Sequence, residues 1–246
     1  MPEYYFLFLF LAFLAEIIGT ISGFGSSIVF VPLAAQFFSI QEVLGITAVF
    51  HVFSNLSKLW LFKTGIDKKI VLVLGSAAVV SVSLGALLAS WLPPMATTIF
   101  MSVSLMVLAI FLILKPNFQW RSSNKHLLVG GTLSGFLAGA TGTGGAIRGL
   151  TMMAFNLEKG VFIATSAAVD LGVDFTRAVI YLLNGFASTH QLLLYVPPLA
   201  IISFIGSYTG KRLLGYFSQK TFRYVVLGVI IVSAAIELIK VIHHYS

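Results

Sequence analysis

The sequence predicts an all-α polytopic membrane protein built from two inverted repeats, each a helix plus a re-entrant half-helix hairpin followed by three transmembrane helices. Three observations carry this. First, 58% of the 246 residues are hydrophobic and only 9% are charged, against about 25% charged in a soluble domain. Mean hydropathy is +1.00. So few charges cannot cover a water-facing surface, which argues against a soluble enzyme, a nucleic-acid-binding module and a disordered chain. Second, the apolar runs are continuous, whereas strands of a membrane barrel alternate. Third, the chain aligns with itself at an offset of 119 residues.

The apolar runs, in order, are 4–21, 26–38, 43–62, 70–92, 96–114, 127–140, 145–157, 161–183, 191–210 and 222–242. The first follows an acidic start, Met1-Pro2-Glu3, and lacks the basic n-region of a signal peptide, so it reads as a retained membrane helix. Runs 26–38 and 145–157 hold 13 residues each. About 20 helical residues are needed to cross the hydrocarbon, so these two read as half-helices. Each follows a glycine-rich break, Gly23-Phe24-Gly25-Ser26-Ser27 and Gly142-Thr143-Gly144-Gly145-Ala146. Pro32 is expected to kink or end the first half-helix, Pro93-Pro94 to form an external turn, and Pro197-Pro198 to bend the ninth run.

At the 119 offset, Ser22-Gly23-Phe24-Gly25 faces Thr141-Gly142-Thr143-Gly144, and Ile46-Thr47-Ala48 faces Thr165-Ser166-Ala167. Three polar positions also coincide: His51 with Asp170, Asn55 with Asp174, Lys58 with Arg177. The expected organisation is a first transmembrane repeat over 1–115, a cytoplasmic linker over 116–125 and a second repeat over 126–246. Lys63, Lys68 and Lys69, then Lys115, Arg121 and Lys125, then Lys211, Arg212, Lys220 and Arg223 mark the basic loops; 39–42, 93–95 and 184–190 hold no Lys or Arg. Basic loops face the cytoplasm, which inverts the second half and leaves both termini non-cytoplasmic. It also accounts for the net charge of +7 without a nucleic-acid partner. Trp60, Trp91 and Trp120 fall at expected interfaces; Lys240, His243 and His244 fall on the wrong side, and Glu237 pairs in register with Lys240.

The chemistry is expected at the breaks. A half-helix that starts just after a glycine turn presents free N–H groups and a positive dipole end, a ready anion site. Two from opposite halves would meet where a transporter holds its substrate; close helix packing is the plainer reading of the glycines. His51, Asn55 and Lys58 share one helix face, as do Asp170, Asp174 and Arg177. Charges inside a membrane usually mark a pathway, although Asp174–Arg177 and Asp170–Arg148 pairs would also glue helices. Arg148 is able to hold an oxyanion bidentately or to neutralise Asp170 or Asp174. Lys58, Arg148 and Arg177 against Asp170 and Asp174 leave a balance of +1, which suits an anion. His51 is either a proton carrier or a neutral hydrogen-bonding ring. Asp170 and Asp174 are the alternative carriers. Glu16 reads as structural, partnered by His51 or Lys58. There are no cysteines, and no P-loop, HExxH or GxSxG, so neither a resident metal or cofactor nor an enzymatic reaction is expected.

Ser22-Gly-Phe-Gly-Ser-Ser-Ile-Val-Phe-Val-Pro-Leu33 and its counterpart Gly142-Thr-Gly-Gly-Ala-Ile147, with Gly45-Ile-Thr47, Ala164-Thr-Ser166, Thr64-Gly-Ile-Asp67 and Gly85-Ala86, resemble the TauE/SafE sulfite exporter family, the toluenesulfonate uptake permeases. The resemblance runs over essentially the whole chain. Thr151 stands where the second copy would carry its proline, and Arg148 interrupts an apolar stretch. The resemblance implies import or export of sulfite, thiosulfate, sulfoacetate or organosulfonates. Taken together, the expectation is a proton-coupled, alternating-access secondary transporter of a small sulfur-containing anion in the plasma or inner membrane. The substrate contacts would be Gly23, Phe24, Gly25, Ser26, Ser27, Gly142, Thr143, Gly144, Gly145, Arg148, Lys58 and Arg177. The coupling candidates are His51, Asp170 and Asp174. A cation or neutral-solute carrier using the aspartates, and a non-transporting scaffold, are the alternatives.

Overall fold

A computed structural model describes residues 4–63, 65–115 and 121–216. The span expected at 222–242, with Lys220, Arg223, Glu237, Lys240, His243 and His244, lies outside the described residues, as do Thr64 and Trp120. The described residues form helices α1 (Tyr5–Ser22), α2 (Ser27–Ala34), α3 (Ile40–Leu61), α4 (Lys68–Trp91), α5 (Pro94–Leu114), α6 (Asn124–Thr141), α7 (Gly145–Met153), α8 (Lys159–Leu183) and α9 (Thr189–Leu213), and no strand.

Local chemistry sets these limits. Ser39 caps α3 and Ser188 caps α9, each through a reciprocal capping box with Glu42 or Gln191. Asp67 caps α4, Ser123 caps α6, and Pro94 sits at the first turn of α5. The α6 start at Asn124 takes the last residues of the expected linker into the helix. α1 and α6 both end on a left-handed glycine, Gly23 (φ 68°) and Gly142 (φ 75°), whose N–H closes on Gly19 O and Ala138 O. Pro198 inside α9 cannot donate to Leu194 O, and that freed carbonyl accepts the Tyr5 hydroxyl at 3.3 Å.

The half-helices are shorter than the apolar runs. α2 has 8 residues and α7 has 9, roughly 12–14 Å at 1.5 Å per residue. After Ala34 the chain tightens into i,i+3 turns, Gln36 N–H to Leu33 O and Phe37 N–H to Ala34 O. After Met153 it turns through Asn156 at φ 48°. Ala35, Phe37, Phe38 and Phe155 stay apolar because these turns pack on the core, so hydrophobicity outlasts the helix.

Among the described residues five helices, α1, α3, α4, α5 and α9, are long and apolar enough to cross a membrane. α8 is long enough, at 25 residues, but spends its inner face on Asp170, Asp174 and Arg177, all buried. Large apolar side chains point outward, as with Phe6 (74% exposed), Leu72 and Leu183. Trp60 and Trp91 are exposed, with Lys63 Nζ 5.3 Å from the Trp60 ring. This inside-out pattern is that of a chain solvated by lipid.

The packing does not follow the sequence halves. α1, α2 and α3 assemble with α9, while α6, α7 and α8 assemble with α4. α9 and α4 are exchanged between the two groups, and α3 against α8 and α2 against α7 join them. Gly131, Gly135 and Gly139 let α6 lie directly on the α4 backbone; a Cβ at Gly135 would stand 2.6 Å from Ala78 Cα. Gly206 and Gly210 do the same for α9 against Glu16 and Thr20 of α1. Each α1–α9 or α3–α9 contact has its counterpart, α6–α4 or α8–α4, at the 119-residue offset.

Candidate functional site

The two breaks meet. The Phe24 ring packs on Gly149, where a Cβ would collide with it, and the Phe24 carbonyl lies against Gly145 and accepts Arg148 Nη2 at 3.2 Å. Ser166 Oγ donates to Gly23 O at 3.0 Å. Neither α2 nor α7 has a side-chain cap, since the Ser26 hydroxyl is turned to Glu16 and Gly144 has none to offer. The first turns of both half-helices thus keep their positive ends toward a shared space. That space is a small polar cavity lined by Gly25, Ser26 and Ser27 of one break and Gly142, Gly144 and Gly145 of the other. His51, Ser54, Asn55, Lys58, Arg148, Asp170 and Asp174 complete its wall with Ala138. A second cavity shares Gly25, Asn55, Lys58 and Asp170 with it, and adds Gly23 and Ser166.

Among the described residues three buried ion pairs organise the polar interior. Arg148 Nη1 pairs with Asp170 Oδ1, and Arg148 Nε donates to Ser166 Oγ at 3.1 Å. Arg177 Nε donates to Asp174 Oδ1 at 2.7 Å, and Asn55 Nδ2 donates to Asp174 Oδ2 at 2.7 Å. Lys58 Nζ lies 2.7 Å from Glu16 Oε1. Glu16 is fully buried and also accepts from Ser54, Ser207 and Ser26 at 2.7–2.8 Å. Both helix-gluing pairs that the spacing allows are therefore formed. The expected balance of +1 is corrected by Glu16: its pairing with Lys58 brings the set to three cations and three carboxylates, a net of zero.

Most of the expected site residues come together here. Phe24 contributes its carbonyl and ring rather than cavity wall, and Thr143 is buried with its hydroxyl 2.7 Å from that of Thr141. Arg177 stands behind the wall, holding Asp174 and His51 Nδ1, the latter at 2.8 Å. Ser54, Ser166 and Ser207 belong to the site without having been singled out. Ser54 and Ser166 lie beside the polar stripes in sequence, one residue before Asn55 and four before Asp170. Ser207 falls opposite Leu88 at the 119 offset and gave no repeat signal.

Lipid-facing helices around a charged interior, with two broken helices meeting at a polar cavity, define a multi-pass membrane protein of the transporter class. A family model described as sulfite exporter TauE/SafE matches residues 8–236, and the chain belongs to that family. It is accordingly a membrane transporter of sulfur-containing anions such as sulfite. No curated protein sequence and no solved structure matches the chain.

Proposed function

We propose that the cavity between the two glycine breaks seats one small sulfur oxyanion or organosulfonate, which the protein carries with protons by alternating access. The observation behind this is the convergence of two uncapped half-helix starts and the cation-bearing residues Arg148 and Lys58 on one polar cavity. Backbone N–H groups and cationic side chains are what an oxyanion needs.

The neutral interior supplies the reason for proton coupling. Among the described residues each buried cation, Lys58, Arg148 and Arg177, is already paired with a carboxylate. An added monoanion would leave a buried charge of −1, which is expensive in this medium. One proton taken up with it restores neutrality. Asp170 lines both cavities and pairs with Arg148, so a proton on Asp170 would release Arg148 to the oxyanion. Asp174 is the second candidate carrier.

The moving bodies are then the two interleaved groups, not the sequence halves. Glu16–Lys58 lies inside the α1–α2–α3–α9 group; Arg148–Asp170 and Arg177–Asp174 lie inside the α4–α6–α7–α8 group. The polar contacts between groups are hydrogen bonds, Asn55–Asp174, His51–Arg177, Arg148–Phe24 O and Ser166–Gly23 O. Such a seam opens without breaking a buried ion pair. On this reading the 119-residue offset reflects two inverted repeats, residues 1–115 and 126–246. Basic loops then face the cytoplasm and both termini the other side of a plasma or inner membrane.

The test is substrate-induced current from purified protein in liposomes on a solid-supported membrane. Sulfite, thiosulfate, sulfate, sulfoacetate, nitrate and small carboxylates form the panel. At least one sulfur anion should give a current that grows with an inward proton gradient. Folded protein that stays silent to every anion would refute the proposal.

A further inference from the structure

Arginine has only donors, so in the Arg177–His51 contact it is His51 Nδ1 that accepts, at 2.8 Å from Arg177 Nη2. A ring accepting at Nδ1 is neutral and carries its single proton on Nε2. That Nε2–H has no partner, although His51 is only 3% exposed. Arg177 is held by Asp174 and His51, with the Tyr181 side chain beside it. His51 lines the larger cavity. The dyad therefore leaves one buried donor, His51 Nε2–H, in the cavity wall with nothing to accept from it. A buried donor left unmade is costly, and such a donor in a polar cavity is explained by a ligand that supplies acceptors.

We infer that His51 is a substrate-binding residue, a neutral N–H donor that Arg177 orients toward the oxygens of an acceptor-rich anion, and that it does not carry the coupled proton. His51 belongs to α3 and Arg177 to α8, so the hydrogen bond that orients the donor crosses the seam between the two helix groups. The inference rests on the transport reading above and deepens it, because the dyad assigns the proton to the aspartates and the oxygens to His51.

The test compares wild type, His51→Gln and His51→Leu in liposomes, recording anion current and proton uptake together, with melting temperature as the folding control. Glutamine is able to accept from Arg177 and still donate an N–H, but it cannot carry a proton at neutral pH. His51→Gln should keep KM within about threefold and leave the proton-to-anion ratio unchanged, while His51→Leu should raise KM by about tenfold or more. Should His51→Leu fail to fold, the ratio in His51→Gln decides alone. A His51→Gln protein that moves anions without protons overturns the inference, and so does a His51→Leu protein with wild-type KM. A wild type silent to all anions instead overturns the transport reading beneath it, before any variant is compared.

Discussion

Asn55 Nδ2 donates to Asp174 Oδ2 at 2.7 Å, and these two residues are each other's counterparts 119 positions apart. On the two-repeat reading, a residue can touch its own counterpart only where the axis relating the copies passes. The cavity wall that holds Asn55 and Asp174 is therefore on that axis, where motion of one group against the other opens either side by the same displacement. Removing the amide leaves half of the Asp174 carboxylate without its donor. Asn55→Ala is predicted to cost about 1–3 kcal/mol of stability, read as a lower melting temperature in detergent. An unchanged melting curve would show that the bond is not made.

Arg148 separates gluing from binding. Arg148→Ala leaves Asp170 buried and unpaired, an effect of about 3–5 kcal/mol for broken buried pairs. The double variant Arg148→Ala with Asp170→Asn should recover most of the melting temperature but none of the sulfur-anion current. Recovery of both would reduce the pair to structural glue.

Glu16 is the centre of the first group, tying α1 to α3 and α9 and to the start of α2. Glu16→Ala should destabilise more than Glu16→Ala combined with Lys58→Met, because the double variant leaves no unpaired charge. A double-mutant cycle on thermal unfolding measures this. Additive losses would contradict the pairing.

The exchanged helices make a prediction about cross-links. Ser57 of α3 and Ser203 of α9 sit with their hydroxyls 3.3 Å apart inside one group, and the chain has no native cysteine to interfere. A Ser57→Cys, Ser203→Cys pair should oxidise and still transport. Arrest of transport on oxidation, restored by reductant, would mean that α3 and α9 move relative to each other.

Gly135 tests the glycine seam between α6 and α4. A methyl there would stand 2.6 Å from Ala78 Cα, and neither backbone can yield. Gly135→Ala is expected to lower stability by about 1–3 kcal/mol, as overpacking does. The matching substitution at Gly215, where a Cβ would meet nothing within 4 Å, should be silent. Equal effects at the two sites would discount the seam.

Much of this was legible from residue order because membrane helices advertise themselves. The runs around α1, α4 and α5 match within a few residues, and the self-alignment located both breaks. The pairs Asp174–Arg177 and Asp170–Arg148 were readable, the first from its i,i+3 spacing and the second because few buried partners were available. Lys58 was one of the two partners offered for Glu16, but its serine donors Ser54, Ser26 and Ser207 were not legible, since they come from three other elements and serine carries no periodic signal. The ends of α2 and α7 were not, because Phe37, Phe38 and Phe155 still pack on the core, half-buried, after the helix has stopped. The exchange of α4 and α9 was hidden for a different reason: hydropathy says which segments enter the bilayer but nothing about which neighbours they choose there.

That exchange also orders biosynthesis. The group built on α1, α2 and α3 takes its fourth helix from residues 189–213, synthesised long after the rest. Until then the face of α1 that carries Glu16 has no α9 to cover it, and the ribosome must deliver nearly the whole polypeptide before the first-made helices are closed. Neither half-length fragment would mature by itself, whereas two fragments expressed side by side would have to interlock to become a working carrier.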